Sequence, residues 1–121
     1  MATVTGIGGI FFRAQDPETL TEWYRTHFGF GGGDGFWRQS EGNTVFAPFR
    51  ADTSYFPFER QFMLNFRVDD LDKMIAKLAA AGIEAETRPD EWDDPGIGRF
   101  ARVHDPEGNA IELWEPVAAC R

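Results

Sequence analysis

Cysteine, histidine and long apolar runs are all scarce in this sequence. It contains one cysteine and two histidines in 121 residues, and Cys120 alone can form neither an intramolecular disulfide nor a cysteine-based zinc cluster. No apolar stretch reaches the ~18 residues that a membrane-spanning helix needs, and the first residues lack the basic flank of a signal peptide. We therefore expect a cytoplasmic protein that is neither exported nor inserted in a membrane.

Basic residues are also in the minority. There are 12 Lys and Arg against 20 Asp and Glu, which gives a formal net charge of −8. An acidic chain repels phosphate backbones, so nucleic acid is not an expected partner. The glycine-rich segments at 6–9 and 31–35 lack the Lys-Ser/Thr pair of a phosphate-binding loop. The two histidines and the absence of a nucleophile elbow argue against a Ser-His-Asp site.

Aromatic residues, by contrast, are abundant. The sequence has 12 Phe, 4 Trp and 2 Tyr, and a hydrophobic content of 42%, which is typical of a folded domain. A core of this size does not require so many rings, so we expect some of them to line a pocket or an interface. A second copy of the chain is the expected partner at such an interface, which predicts a homodimer.

Two short stretches of the sequence recur. Residues 41–46 (EGNTVF) resemble 107–112 (EGNAIE), and residues 12–16 (FRAQD) resemble 66–70 (FRVDD). The second pair of motifs is followed in both copies by a helical pattern that ends at a glycine. Such self-similarity predicts a duplicated unit. We therefore expect one domain over 1–121, with a first module over about 1–58 and a second over about 59–121.

Each copy has the pattern of a strand, a helix and further strands. Asp16 and Asp70 can cap the two helices, and Gly29 and Gly82 can end them. The later strands follow one another without a helix between them, which predicts an α+β protein with mixed or mostly antiparallel sheets. Apolar or alternating runs predict strands over 5–13, 34–40, 43–49, 61–68, 83–88, 98–104 and 109–115.

Four segments of the chain resemble a known family. They are FFRAQDP at 11–17, WYRTHFGF at 23–30, FRVDDLD at 66–72 and DPEGNAIELW at 105–114. In order and spacing they resemble the vicinal oxygen chelate superfamily, also called the glyoxalase/bleomycin resistance/dioxygenase superfamily. The resemblance implies two tandem βαβββ modules whose sheets curl into a cup around a ligand, commonly in a homodimer. It also implies, as in many members, a divalent metal that chelates neighbouring oxygens of the substrate.

The residues at the superfamily's metal positions do not match this last expectation. The resemblance places the four positions at Gly9, Phe46, Met63 and Glu112. Glycine and phenylalanine carry no ligand atom, and a methionine sulfur is too soft for magnesium, manganese or zinc in such a site. Glu112 is the only family ligand retained, so a divalent metal is disfavoured and no cofactor is assigned.

Alternation along the expected strands, together with the inward orientation that the resemblance implies for Arg102, predicts a mostly aromatic wall around the cup. Its polar members include Asn65, Arg102 and Glu112. Such a wall suits an organic ligand with a planar or apolar body and a few hydrogen-bonding atoms. The candidate ligand-binding residues are Phe11, Phe36, Arg38, Phe46, Met63, Asn65, Phe100, Arg102 and Trp114.

Three interpretations of this cup follow. In the first, the protein binds a small molecule without transforming it, like the bleomycin-resistance branch, and its net acidity favours a cationic ligand. In the second, it is a glyoxalase-like lyase or isomerase, or a dioxygenase relative, in which Glu112 acts as general base or metal anchor. In the third, the cup is filled by its own aromatic side chains. The lost metal ligands favour the binding protein.

Overall fold

Three strands form one mixed sheet in the computed structural model, which describes residues 2–121. Strand β1 spans Leu64–Arg67, β2 spans Gly98–His104 and β3 spans Ala110–Pro116. β3 lies in the centre, parallel to β1 and antiparallel to β2. Together with the helices described next, this mixed sheet confirms the α+β class that the sequence predicts.

The two longer helices begin and end where the sequence predicts. Helix α1 spans Pro17–Phe28 and helix α2 spans Leu71–Ala80. The carboxylates of Asp16 and Asp70 accept backbone N–H groups of the first turns, at 3.1 and 3.0 Å. Gly29 ends α1 in the left-handed conformation, with φ at 80°. No helix in the described part of the chain is long and apolar enough to cross a membrane.

The hydrophobic core lies between one face of the sheet and the helices α1 and α2. Because side chains alternate along a strand, every second residue of β1, β2 and β3 points into this core. Complete burial of one such side chain contributes about 1.5–3 kcal/mol. The buried core residues are Leu20, Tyr24, Phe66, Leu71, Leu78, Ala101, Val103, Ile111 and Leu113.

A buried carboxylate holds the turn between β2 and β3. Asp105 is 4% exposed and accepts the backbone N–H groups of Glu107 and Asn109, at 2.9 and 3.0 Å, and the side-chain amide of Asn109 at 2.8 Å. Its fourth donor is the Tyr24 hydroxyl of α1, at 2.7 Å. The Glu107 carboxylate also accepts two backbone N–H groups just before α1, at 2.6 and 3.0 Å. The turn therefore fixes α1 against the sheet.

The strands of the second predicted copy largely form. The predicted strand at 98–104 is β2 and the one at 109–115 is β3, displaced by one residue. The strand predicted over 61–68 shortens to the four residues of β1. These strands form because each has a neighbour that completes its hydrogen-bond ladder.

The strand predicted over 83–88 is reduced to a single antiparallel bridge. Glu86 and Arg102 exchange two backbone hydrogen bonds, both at 2.8 Å. Pro89 then begins a short helix, α3 (Pro89–Trp92), which the sequence did not predict. Because proline lacks an N–H group and favours the first turn of a helix, the chain leaves the sheet edge there. A 3-10 turn over Ala118–Cys120 follows β3.

The first half of the chain forms no strand among its described residues. The strand predictions over 5–13, 34–40 and 43–49 are therefore wrong. Glycines with positive φ between 31 and 35 turn the chain after α1 and lead it away from the edge of the sheet. A strand requires a partner, and this segment reaches none. The two tandem βαβββ modules and their curled cup are not confirmed.

We predict that Tyr24→Phe lowers the free energy of unfolding by about 1–3 kcal/mol, because Asp105 loses a donor in a buried site. Burial and the Asp105 carboxylate raise the pKa of Tyr24 well above its usual value, so the hydroxyl is a donor throughout the neutral range. Urea denaturation checks this prediction. Thr26→Ala, which removes an exposed hydroxyl from the same helix, should change stability by less than about 0.5 kcal/mol. Equal effects of the two substitutions would contradict the prediction.

Candidate functional site

Three polar side chains lie next to one another on the sheet face opposite the core. Asn65 of β1 is the register partner of Glu112 of β3, and Glu112 is in turn the register partner of Arg102 of β2. Directly opposite residues on adjacent strands point to the same face. We call Asn65, Glu112 and Arg102 the polar row. The structure thus brings together the three polar wall residues that the sequence predicts.

The carboxylate of Glu112 is held by two neutral donors. The side-chain amide of Asn65 donates to one oxygen at 2.7 Å, and the hydroxyl of Tyr55 donates to the other. Tyr55 comes from the long loop before β1. Burial and the Glu112 carboxylate raise the pKa of Tyr55 to about 12, so Tyr55 keeps its proton at neutral pH and remains a donor.

Arg102 contacts aromatic rings instead of a carboxylate. Its guanidinium carbon lies 4.6 Å from the ring centre of Tyr55 and 5.1 Å from that of Trp92, distances typical of cation–π contacts. One terminal nitrogen is 3.9 Å from the sulfur of Met63. Nε is buried and has no acceptor among the described residues. The guanidinium is therefore positioned by rings and keeps its positive charge uncompensated.

Two further predicted residues lie beside the row. The rings of Phe100 and Trp114 are nearly parallel, with their centres 6.2 Å apart. The indole N–H of Trp114 donates to the backbone carbonyl of Ile97 at 3.1 Å, which fixes the ring. Met63, Asn65, Phe100, Arg102 and Trp114 therefore belong to one surface around Glu112.

Sequence reasoning missed Tyr55 and Trp92, which complete this surface. Their rings are 6.5 Å apart and meet edge to face. Tyr55 lies in a loop with no periodic pattern, and no sequence signal could have found it. Trp92 follows a proline at the start of α3, within an acidic segment that resembles a solvated loop. Only the tertiary fold brings these rings to the polar row.

The structure does not bring the candidates of the first half to the polar row. Phe11 and Phe46 are 94% and 86% exposed, and Phe36 is also exposed. Arg38 pairs with Asp34 at 2.9 Å on the surface. A role for these four candidates in ligand binding stays a prediction.

Neither of two cavities in the described part of the chain contains the polar row. One of about 900 Å³ is lined by residues between 12 and 20, by Arg60 and by Pro106 and Glu107 of the turn. The other, of about 510 Å³, lies within the loop over 47–63. Met63 lines this second cavity and also contacts Arg102, so the cavity adjoins the row. Its aromatic lining comes from Phe49, Phe56, Phe58 and Phe62.

Comparison with known families shows to which family the chain belongs. The chain matches the glyoxalase-like domain family over residues 9–114. The chain belongs to that family. The match covers most of the sequence and confirms the resemblance to the vicinal oxygen chelate superfamily.

Individual relatives of this glyoxalase-like domain are more distant. TnmS3, an antibiotic binding protein from Streptomyces sp. CB03234, has a TM-score of 0.61 at 23% identity over 97% of this chain and 100% of that chain, which shows a shared fold. CFP32 of Mycobacterium bovis and Mycobacterium tuberculosis, which carries a provisional glyoxylase name, is 43% identical over 51 residues, or 42% of this chain and 19% of that protein.

A third relative is the uncharacterized protein YraH of Bacillus subtilis. It is 33% identical over 60 residues, or 47% of this chain and 44% of that protein. The chain therefore spans less than half of the length of the curated relatives that it matches.

The superfamily implies a divalent metal, and the residues at its positions do not fit one. Gly9 and Phe46 carry no donor atom, and the sulfur of Met63 lies 3.9 Å from the guanidinium of Arg102, whose charge opposes a cation. Both oxygens of Glu112 already accept hydrogen bonds. Residues 2–121 contain no group of three or more His, Cys, Asp or Glu side chains that could hold a metal ion.

We predict that protein prepared without chelators carries no stoichiometric divalent metal at Glu112. A lone carboxylate contact with a net free energy of about 4 kcal/mol gives a dissociation constant of about 1 mM, too weak to survive purification. Elemental analysis, followed by titration with nickel, manganese, zinc and magnesium, measures this directly. Bound metal that is lost in Glu112→Ala but kept in Glu84→Ala, which removes an exposed carboxylate, would contradict the prediction.

Proposed function

We propose that this glyoxalase-like domain binds a small organic molecule on the sheet face that carries the polar row. The row itself carries the proposal, since it places a carboxamide, a carboxylate and a guanidinium on three adjacent strands in register. Groups held on strands keep their relative positions better than groups on loops, so they can fix the orientation of a ligand. A few convergent polar groups among aromatic residues are typical of small-molecule sites.

The rings around the row suit a flat ligand. Tyr55 and Trp92 lie against Arg102, while Phe100 and Trp114 lie further along the same face. Offset or edge contacts between aromatic rings contribute about 0.5–1.5 kcal/mol beyond the area that they bury. A planar molecule can therefore gain both stacking and directed hydrogen bonds here.

The similarity to TnmS3 supports this class of function. TnmS3 is described as an antibiotic binding protein, and its fold is shared over nearly the whole of this chain. The shared fold is thus compatible with a small-molecule ligand. We propose binding without chemical conversion, because the residues at the metal positions other than Glu112 cannot take part in the chemistry of the superfamily.

The alternative is a glyoxalase-like lyase or related enzyme with Glu112 as base or metal anchor. The carboxylate is retained and is central in the polar row, which favours this alternative. Against it, both oxygens of Glu112 are engaged by Tyr55 and Asn65. A base must have an oxygen free to take a proton from the substrate, so the enzyme hypothesis requires one of these bonds to open.

We further propose that a second copy of the chain covers the exposed apolar surface of the first half. Every exposed large hydrophobic residue except Ile97 lies between residues 4 and 62. The described backbone over 2–15 and 36–49 makes no backbone–backbone hydrogen bonds. Extended segments with free N–H and C=O groups can pair with another chain. A homodimer would bury the exposed hydrophobic residues and pair the free backbone groups. A cytoplasmic location stays a prediction.

We predict that naphthalene derivatives bind the row and change tryptophan fluorescence mainly through Trp92, because its ring faces the site. Titrations of the wild type should show saturation at one ligand per chain. In Trp92→Phe most of the fluorescence change should be lost, whereas Trp23→Phe, on the opposite side of the sheet, should keep it. A signal that depends on Trp23 and not on Trp92 would place binding elsewhere.

For the dimer, sedimentation equilibrium at micromolar concentration should give about twice the 13.7 kDa mass of one chain. Phe46→Asp should weaken the association at least about tenfold, since it would place an unpaired carboxylate in the apolar interface. Ile97→Asp is the matched control, because it places a charge on the one exposed hydrophobic residue outside this region. A monomeric wild type, or equal effects of the two variants, would contradict the dimer.

A further inference from the structure

We propose that the ligand of the polar row carries a carboxylate on a planar aromatic body, and that the guanidinium of Arg102 binds this carboxylate. The inference rests on the proposed function and specifies the chemistry of its ligand. It does not involve the metal positions of the superfamily, since Arg102 is not one of them.

Arg102 is a cation without a counterion. No carboxylate in residues 2–121 lies within 4.0 Å of its nitrogens, although acidic residues outnumber basic ones by 20 to 12. The more exposed Arg88 and Arg99 pair with carboxylates at 2.6 and 2.8 Å. Charges that are withdrawn from water are normally paired. A partner from outside the chain would supply what Arg102 lacks.

Neither of the two carboxylates in register with Arg102 pairs with it. Glu86, across the antiparallel bridge, pairs with Arg88 at 2.6 Å. Glu112 lies directly across the β2–β3 pair, but its oxygens accept hydrogen bonds from Asn65 and Tyr55. The ring of Tyr55 also lies against the guanidinium, at 4.6 Å. Because Tyr55 contacts both groups, the negative and positive charges stay apart and the positive charge remains free for a ligand.

The contacts of Arg102 select a carboxylate. Its guanidinium lies over the rings of Tyr55 and Trp92, and the weak contact of one terminal nitrogen with the Met63 sulfur, at 3.9 Å, is one that a ligand oxygen can replace. A carboxylate matches the edge of the guanidinium with two parallel hydrogen bonds, which a hydroxyl or amide cannot reproduce. The buried Nε also lacks an acceptor.

An anionic ligand must approach a protein with a net charge of −8, which repels it. Exposed charges further away than the Debye length of about 8 Å at physiological ionic strength are largely screened. Within the site Arg102 attracts an anion, and the Glu112 carboxylate, which repels one, has both oxygens occupied by hydrogen bonds from Asn65 and Tyr55. The neighbouring rings of Trp92 and Tyr55 then offer stacking to an aromatic body. An aromatic carboxylate therefore fits the unpaired guanidinium of Arg102 and the rings that lie against it.

Three matched probes test the proposal on the full chain: naphthoate, naphthamide and naphthylmethylammonium. They share one ring system and differ in charge. Isothermal titration calorimetry should show that naphthoate binds about 10- to 100-fold more tightly than naphthamide, the range expected for a charge-assisted hydrogen bond. The ammonium probe should bind most weakly. The preference for naphthoate should decrease as salt is added.

Variants assign the preference to Arg102. Arg102→Gln should bring the affinity for naphthoate to that for naphthamide. Arg102→Lys keeps the charge without the planar fork and should give an intermediate affinity. The control is Arg99→Gln, on the same strand but paired with Asp72 on the other face, and it should leave the preference unchanged. Circular dichroism and thermal melts establish whether each variant is folded. If Arg102→Gln does not fold, the affinity of Arg102→Lys for naphthoate tests the role of Arg102.

Three results would overturn the inference. If naphthamide or the ammonium probe binds as well as naphthoate with the Trp92 signal intact, the carboxylate assignment fails while the proposed binding function stands. If no probe binds at all, both fail. A preference for naphthoate that survives in Arg102→Lys and Arg102→Gln alike would assign the anion to another residue and would also contradict the proposal.

Discussion

The rest of the structure depends on the buried carboxylate of Asp105 and its four hydrogen bonds. Three of them close the turn between β2 and β3 and so set the register in which Arg102 faces Glu112. The fourth, from Tyr24, fixes α1 to that turn and closes one side of the core. An anion in an apolar interior is destabilising unless its acceptor sites are filled, so these contacts must form together. Both the core and the polar row thus depend on the hydrogen bonds of Asp105.

On the opposite face, Tyr55 determines the character of the site. A carboxylate and a guanidinium on adjacent strands would ordinarily form an ion pair across the sheet. Here the phenol takes one oxygen of Glu112 and its ring lies against Arg102, so both charged groups stay near each other without neutralising each other. The proposed preference for an aromatic carboxylate follows from this separation, because a paired arginine would have little charge left for a ligand.

The sequence predicted the structural features that depend on nearby residues and missed those that depend on contacts between distant residues. Aspartate caps, glycine ends and apolar spacing placed α1 and α2 correctly, since each signal acts within a few residues. Strand alternation placed β2 and β3 and indicated Asn65 on β1, while the resemblance to the superfamily indicated Glu112 and the orientation of Arg102. The first-half strands failed because alternation shows that a segment can be a strand but not that a partner edge exists. Tyr55 and Trp92 were missed for the same reason, as nothing near them in sequence indicates the Arg102 that they contact.

The central position of β3 has a consequence for how the protein is made. β3 is the last of the three strands in sequence, yet β1 and β2 touch each other only through it. During synthesis, Asn65 leaves the ribosome long before Glu112, and β1 has no edge to pair with until residues 110–116 follow. Contacts between such distant residues form slowly, and unpaired strands are exposed to aggregation meanwhile. Ligand binding at the polar row therefore requires that residues 110–116 have been synthesised and have joined the sheet.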